Sequence, residues 1–235
     1  LGSFEKIVSE TAMGACQLAQ VVDGVAAQYG VPAVFSSKFG KDGKYTYDSY
    51  MHGRQYYYGI SIGAAYKVND NFAVYGGVRT VYALCNYYGY VRDIKVGNMP
   101  LYQVLDPTKT TAADIELSCD QTGLGFTPMI GVDFKTGRWN FSAKYEFKTR
   151  MRLKNKSVNQ TPSIGNLDGN LRNAYLAGGV PEAAADAILS NQNVQGATTM
   201  LKKQFNTELG EAIGEYEDGK NIEGDIPSLL TVGVG

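Results

Sequence analysis

A row of basic side chains between residues 139 and 155 is the group best placed to do chemistry. Lys144, Lys148, Arg150, Arg152 and Lys154 all fall on even positions, with Glu146 among them. Successive side chains of a β-strand point to opposite faces, so we predict that this row shares one face. Two interpretations stay open. The row holds a ligand carboxylate, or it pairs with acidic neighbours such as Asp133 and Glu146.

Residues for covalent chemistry are scarce in this sequence. His52 is the only histidine, which removes most metal-binding and Ser–His arrangements. Cys16, Cys85 and Cys119 are too few for a disulfide framework and too scattered for a zinc site. A Cys16–Cys119 bridge between loops stays open for an oxidising compartment. We therefore predict no enzyme activity, no cofactor and no metal site.

The composition favours an all-β protein. The 235 residues carry a formal net charge of −1, which does not support long-range attraction to nucleic acid. Glycine (28) and tyrosine (17) are abundant, as in a sheet with an aromatic girdle. No apolar stretch reaches the ~20 residues that a membrane helix requires. The sequence does not begin with Met, so we expect a mature or trimmed chain.

Alternating patterns predict about five strands, at residues 56–68, 72–94, 123–135, 139–155 and 226–235. The connections alternate in length. Long segments (about 1–53, 97–122 and 155–225) are separated by short turns at 69–71 and 136–138. This segregation is typical of outer-membrane barrels, so we predict a transmembrane antiparallel β-barrel with extracellular long loops. Five strands cannot close a barrel, so the chain would supply a part of a larger one.

Within that barrel, the polar face of each strand is predicted to look into a wet lumen and the apolar face into lipid. The basic residues that we expect on the lumenal face are Lys67, Arg79, Lys144 and Lys148. Pro128 falls in mid-strand on the lipid-facing side, where it has no N–H to donate, and it predicts a bulge or a locally opened pair.

Two long-loop segments read as amphipathic helices, at residues 10–29 and 198–217, and Pro181 predicts a further helix start. The apolar side chains on the two stripes are Leu18, Val21, Val22, Val25, Leu201, Phe205 and Leu209. They form either a small buried core or a groove for an acyl chain.

Three runs of the chain resemble the outer-membrane long-chain fatty acid transporter family (the FadL/TodX type) in its Bacteroides-like branch. They are YKVNDNFAVYGGVR, FTPMIGVDFKTGRWNFSAKYEFKTRMRLKN and DIPSLLTVGVG, and the resemblance covers about residues 1–155 and 222–235. It implies a 14-stranded barrel with an N-terminal plug, capture of hydrophobic molecules in an extracellular groove, and sideways release. It favours the groove over the buried core for the two helices. No ligand-binding residue is carried over from the family.

The predicted function is passive transport of long-chain fatty acids or related hydrophobic compounds across the bacterial outer membrane. The predicted partners are such a hydrophobic small molecule, outer-membrane lipid and lipopolysaccharide, with no nucleic acid. We expect a multi-pass outer-membrane monomer. The alternative is a surface binding or adhesion protein that a β-barrel anchors.

Overall fold

The computed structural model describes residues 2–39 and 44–235, without the side chains of residues 2–4, 37 and 208–212. Its strands are β1 (Tyr45–Lys67), β2 (Phe72–Val96), β3 (Met99–Pro100), β4 (Ile115–Thr136), β5 (Trp139–Glu146), β6 (Arg150–Gln160), β7 (Asn221–Glu223) and β8 (Leu229–Val234). Its α-helices are α1 (Gly2–Gln28), α2 (Ser36–Phe39), α3 (Tyr102–Leu105), α4 (Leu167–Ala177), α5 (Glu182–Leu189) and α6 (Gln192–Ile213). A 3₁₀ turn, Gly214–Tyr216, follows α6.

The strands form one curled antiparallel sheet in the order β1-β2-β4-β5-β8, with β6 paired to β4 and β7. Strands take up 46% of the chain, which confirms the all-β class in its coarse form. The tight turn predicted at residues 69–71 is confirmed. Val68 N donates to Phe72 O (2.9 Å) and Asn71 N donates to the Asn69 side chain (2.9 Å). At the second short turn Gly137 has φ +56°, a backbone conformation that glycine adopts without strain.

The strands extend further than their apolar patterns predicted. β1 begins at Tyr45, β4 begins at Ile115 and β6 runs to Gln160, so strand residues occupy parts of all three segments assigned to loops. The β4 extension buries Ile115, Leu117 and Cys119, whereas the β1 extension is exposed and carries polar side chains that join across the sheet. For example, Arg92 Nε donates to Asp48 Oδ2 (3.2 Å) between β2 and β1. Such cross-strand pairs stabilise a sheet without a hydrophobic signal in the sequence.

The chain divides into two compact units. The helical unit comprises Leu1–His52, Tyr88–Leu117 and Asn159–Glu215. The sheet unit comprises Gly53–Tyr87, Ser118–Val158 and Tyr216–Gly235. Divisions fall inside β1, β2, β4 and β6, so these four strands supply residues to both units.

The helical unit has its own hydrophobic core. α1 packs along α6, and a Cβ at Gly14 would lie 2.7 Å from Leu201 Cδ1, so glycine permits this close approach. α5 begins directly after Pro181, as predicted, and α1 begins earlier than residue 10. α4 was not predicted, although Asn166 marks its start by accepting a hydrogen bond from Gly169 N (3.0 Å). Among the described helices, none combines the length and apolar character needed to cross a membrane.

The sheet unit has two unlike faces, which we call the apolar face and the polar face. The apolar face exposes large hydrophobic side chains from five strands, among them Ile60, Ile62, Tyr66, Val78, Phe126, Ile130, Val132, Phe134, Trp139, Phe141, Leu230, Val232 and Val234. The polar face carries residues such as Ser61, Arg79, Ser142 and Lys144 together with several glycines. The predicted division of each strand into an apolar and a polar face is therefore confirmed for β1, β2, β4 and β5.

Candidate functional site

An ion cluster lies on the polar face at the end of β5. Arg79 donates two hydrogen bonds to the Glu146 carboxylate, from Nη1 to Oε2 (2.7 Å) and from Nη2 to Oε1 (3.0 Å). Lys144 Nζ lies 2.7 Å from Glu146 Oε1, and Arg79 Nε donates to Ser61 Oγ (3.1 Å). Glu146 is nearly buried. Two cations share one carboxylate, so the cluster retains a net positive charge that an anionic ligand can meet.

A β-bulge directly after this cluster changes which face the chain presents. The pair Met129–Glu146 sets the register of β5 on β4, and extending it would place Lys148 beside Thr127. Instead, the Thr127 and Thr149 hydroxyls hydrogen-bond to each other, so one extra residue has entered the strand.

Pro128 lies directly opposite this bulge. Its carbonyl accepts a hydrogen bond from Phe147 N (3.0 Å), and its ring nitrogen has no hydrogen to donate. The bulge that Pro128 predicted is confirmed. At this point β4 lacks one backbone N–H donor, and the segment that joins β5 to β6 contains one extra residue.

The prediction that the basic row from Lys144 to Lys154 shares one face is wrong beyond residue 146. After the bulge the odd residues Met151 and Leu153 are buried, and the even residues Arg150, Arg152 and Lys154 are exposed. One inserted residue reverses the side-chain direction of all that follow, because the side-chain period of a strand is two. Lys144 and the later cations therefore serve different surfaces.

The four cations that were predicted to share the lumenal face lie at three different places. Arg79 and Lys144 meet at Glu146, as described. Lys148 pairs with Asp225 Oδ2 (2.7 Å) and lines a cleft with Arg150 and Arg152. Lys67 pairs with Asp70 (2.6 Å) at the turn that ends β1, where both side chains are well exposed. Only two of the four form a joint site.

A recess of about 340 Å³ lies beside Lys144 on the sheet unit. Small side chains make room for it, since Ala65, Ala73, Gly131 and Ser142 contribute to its lining. Tyr75 lies across one side, and a Cβ at Gly63 would collide with its ring. The result is a largely apolar hollow whose lining also includes the Lys144 ammonium group and the Asp133 carboxylate. An apolar molecule with an anionic end suits it where that end meets Lys144.

The predicted groove residues of the two helices are mostly buried. Leu18, Val22 and Val25 of α1 and Leu201 and Phe205 of α6 are each at most 4% exposed. They pack together as the core of the helical unit, which is the buried-core alternative of the sequence interpretation. The side chain of Leu209 lies outside the described residues.

Val21 is half-buried and lines an open groove of about 650 Å³ between α1 and α6. Amide side chains, including Gln20, Gln28 and Gln192, supply much of its lining. Met200 is the most exposed apolar side chain there, at 73%. A groove with this many amides offers hydrogen bonds more than a continuous path for an acyl chain.

Asp23 forms a buried site that the sequence did not reveal. Its carboxylate accepts hydrogen bonds from Val34 N (3.1 Å), Phe35 N (3.1 Å) and Ser36 N (2.6 Å), and from the Tyr175 hydroxyl (3.4 Å). Burial, together with the Asp23 charge, raises the pKa of Tyr175 well above its ordinary value. Because the partners of the carboxylate are groups of the protein itself, its role is structural. It holds residues 34–36, which lead into α2, against α1; we call this contact the Asp23 joint.

The structure places the histidine within a strand and the three cysteines in buried positions. His52 lies within β1 and not at a loop entry. Cys16, Cys85 and Cys119 are all buried free thiols, so the Cys16–Cys119 bridge is not formed. In residues 2–39 and 44–235, no group of three or more His, Cys, Asp or Glu side chains is arranged to hold a metal ion.

Comparison of the chain with protein-family models, with curated proteins and with solved structures finds no match in any of the three.

Proposed function

We propose that the sheet unit is part of a transmembrane β-barrel in a bacterial outer membrane, and that the protein passively transports long-chain fatty acids or related hydrophobic compounds. The observation that carries the proposal is the apolar face. Ile60 and Ile62 on β1 and Val232 on β8 are each 73% exposed. Soluble proteins rarely expose a contiguous apolar patch larger than a few hundred Å².

Lipid would make this face favourable. Transfer of a large aliphatic side chain from water to an apolar surrounding contributes about 1.5–3 kcal/mol. Trp139 lies at the end of the sheet with the short turns. Tyr56 and Tyr58 lie in the middle of β1, near Gly53 where the sheet unit begins on that strand, as the second aromatic girdle of a barrel would. In lipid every strand must be paired on both sides, so β1 and β8 require neighbours from further strands.

The polar face supports transport over simple anchoring. It combines the apolar recess with the net positive cluster of Arg79, Lys144 and Glu146. A fatty acid has the matching parts, since its chain fits the recess and its carboxylate is attracted to Lys144. The resemblance to the fatty acid transporter family supports the same substrate class.

Uptake by proteoliposomes tests this function. The full-length protein is reconstituted, and entry of an ionised long-chain fatty acid is compared with entry of its uncharged methyl ester. Lys144→Gln should slow entry of the acid several-fold and leave the ester unchanged. Lys148→Gln is the matched control, because Lys148 pairs with Asp225 on a different surface.

Three results count against the proposal. Equal loss of acid and ester uptake in Lys144→Gln removes the carboxylate role. No uptake of either compound by inserted wild-type protein removes transport. Failure of the wild-type protein to insert into bilayers removes the membrane barrel itself.

The alternative function, a surface binding or adhesion protein with a barrel anchor, has one observation in its favour. The helical unit buries its own core, including Val22 and Phe205, so it is a folded body and not merely a pair of groove walls. Normal insertion without uptake, together with retained binding of the protein to a surface, would favour this alternative.

A further inference from the structure

Five basic residues follow one another on the exposed side of the sheet unit, and we call them the basic row. They are Lys148, Arg150, Arg152, Lys154 and Lys156, and all five are exposed. The bulge after Glu146 places them there, since the same even positions before the bulge belong to the polar face. The same β-bulge therefore limits the ion cluster to residues up to Glu146 and places the basic row on the exposed side.

Acidic neighbours neutralise the basic row only in part. Asp225 pairs with Lys148 (2.7 Å) and also accepts a hydrogen bond from Met151 N (2.8 Å). Glu223 lies opposite Arg152 in the β6–β7 pairing. Among the residues that the structure describes, Arg150, Arg152 and Lys154 form no ion pair. Their charge is available to a ligand from outside the protein.

The row borders a cleft with an apolar wall. The cleft has a volume of about 600 Å³. Its lining combines the cations Lys148, Arg150 and Arg152 with the carboxylates Glu223 and Asp225 and the apolar side chains Leu124 and Met151, so it keeps a net positive charge. Leu124 and the nearby Phe126 belong to the apolar face and are 53% and 56% exposed. A ligand that fits here has an anionic head for the guanidinium groups and an apolar body for the wall.

The Lys154 end of the basic row lies on the same line across the sheet as the tyrosines of β1. Side-chain hydrogen bonds join successive strands in one line across the sheet unit, through Gln55–Tyr87, Asn86–Asp120 and Gln121–Asn155. Tyr56 on β1 and Lys154 on β6 are the sequence neighbours of the two ends of this line. Tyrosines concentrate where a membrane meets water, which is also where lipid phosphates lie.

We infer that the basic row binds the phosphate group of an outer-leaflet lipid, with Arg150 and Arg152 as its main ligands. The inference rests on the proposed membrane location of the sheet. Guanidinium groups recognise phosphate through two parallel hydrogen bonds, and neighbouring lysines add attraction without fixed geometry. The acyl chains of the same lipid would lie on Leu124 and Phe126. The apolar face and the basic row then bind the two ends of one molecule.

The test uses purified full-length protein in micelles of an uncharged maltoside detergent, with diphosphorylated lipid A as the probe. Bound lipid is measured by native mass spectrometry. The variant is R150Q/R152Q/K154Q, which keeps the size and polarity of the side chains. The matched control is K135Q/R138Q, which removes cations next to the opposite end of the apolar face. We expect the triple variant to lose about tenfold or more in affinity and the control to be unchanged.

Two further arms identify the source of the phosphate. Lipid A without its phosphates should bind the wild-type protein as weakly as intact lipid A binds the triple variant. Excess inorganic phosphate should displace little of the intact lipid, because it lacks the acyl chains. Complete displacement by inorganic phosphate would overturn the lipid assignment.

Insertion into liposomes, scored by a heat-dependent shift in gel mobility, separates this inference from the proposed function. If both variants insert like the wild type and all three proteins bind lipid A equally, the basic row does not bind lipid. The proposed membrane barrel would be unaffected by that result. If the wild type does not insert at all, the proposed function has failed, and the inference falls with it.

Discussion

Val22 in α1 and Ile62 in β1 are both β-branched apolar residues, yet the first is fully buried and the second is 73% exposed. The contrast extends to their surroundings. The helical unit turns its apolar stripes inward against each other. The sheet unit exposes many large apolar side chains on one face and buries a small cluster (Ala83, Cys85, Met151 and Leu153) on the other. The chain thus contains one region whose apolar stripes are buried and one with many exposed apolar side chains, which the proposed membrane location would place in lipid. Under the proposed function, the stability of the helical unit should fall when a buried side chain is truncated, whereas a charge on the apolar face should lower stability only in lipid.

The largest effect is expected in the helical core. Phe205→Ala should destabilise the helical unit by about 3–5 kcal/mol, because it leaves a cavity among Leu18, Val22 and Leu201. Denaturant unfolding followed by circular dichroism at the helix band measures the loss. Met200→Ala on the same helix is the control, and its exposed side chain should make the change small. Equal effects of the two substitutions would mean that the core is not formed as described.

A charge on the apolar face should have a smaller effect, and only in lipid. Ile62→Arg should lower the stability of the inserted protein by about 2–4 kcal/mol, the range for arginine at the middle of a membrane barrel wall. Val158→Arg is the control. Its side chain is 79% exposed but lies on β6 beyond the apolar face, so it should be tolerated. Folding yield in vesicles as a function of urea gives both values. If Ile62→Arg folds as well as the wild type there, the face does not meet lipid.

The next largest loss of stability is expected when Asp23 is replaced. Asp23→Ala leaves the N–H groups of Val34, Phe35 and Ser36 without their acceptor, at a cost of about 1–3 kcal/mol to the helical unit. Asp168→Ala removes a half-exposed partner of Lys202 and should cost less than about 1 kcal/mol. Faster amide hydrogen exchange at residues 34–36 in the first variant alone would locate the damage. An unchanged exchange rate would show that the carboxylate does not hold this segment.

The smallest effect concerns pH. Hydrogen bonds from Arg172 lower the pKa of Asp186 below its ordinary value of about 3.9. A carboxyl whose folded pKa is depressed stabilises the fold above its unfolded pKa, and this contribution is lost as the pH falls through the folded pKa. The melting temperature of the helical unit should therefore fall slightly more between about pH 5 and pH 2 in the wild type than in Asp186→Asn. Identical slopes would show that the pair contributes nothing, as many exposed pairs do.

Local patterns predicted the elements of this structure well. The i, i+4 spacing of Leu201 and Phe205 was sufficient to place α6, and strict alternation from Tyr56 placed the second half of β1. Features that depend on pairing across the chain were not predictable in the same way. Asp23 lies eleven to thirteen residues from the backbone groups that it binds, and no local motif marks such a contact.

The candidate site shows the same limit. Arg79 and Lys144 were expected on one surface, and they meet at Glu146. Lys148 was expected beside them because the alternation of the sequence continues unbroken through it. Pro128 signalled the bulge, but the direction of the side chains after a bulge depends on its position, and the sequence of one strand does not determine that position. Sixty-seven residues separate the two partners, Arg79 and Glu146, whose contact marks where the change begins.

The bulge has a consequence for how this strand can change during evolution. Before residue 147, substitutions at even positions alter the surface around the ion cluster, and after residue 149 they alter the opposite surface. Even-numbered residues of one short segment thus determine two separate surfaces, the ion cluster and the basic row. Each surface can change in sequence without altering the other. A map of tolerated substitutions along residues 139–156 should show an inversion of parity at the bulge. A single-residue deletion at the bulge should restore regular alternation and leave the side chains before and after it on their present faces.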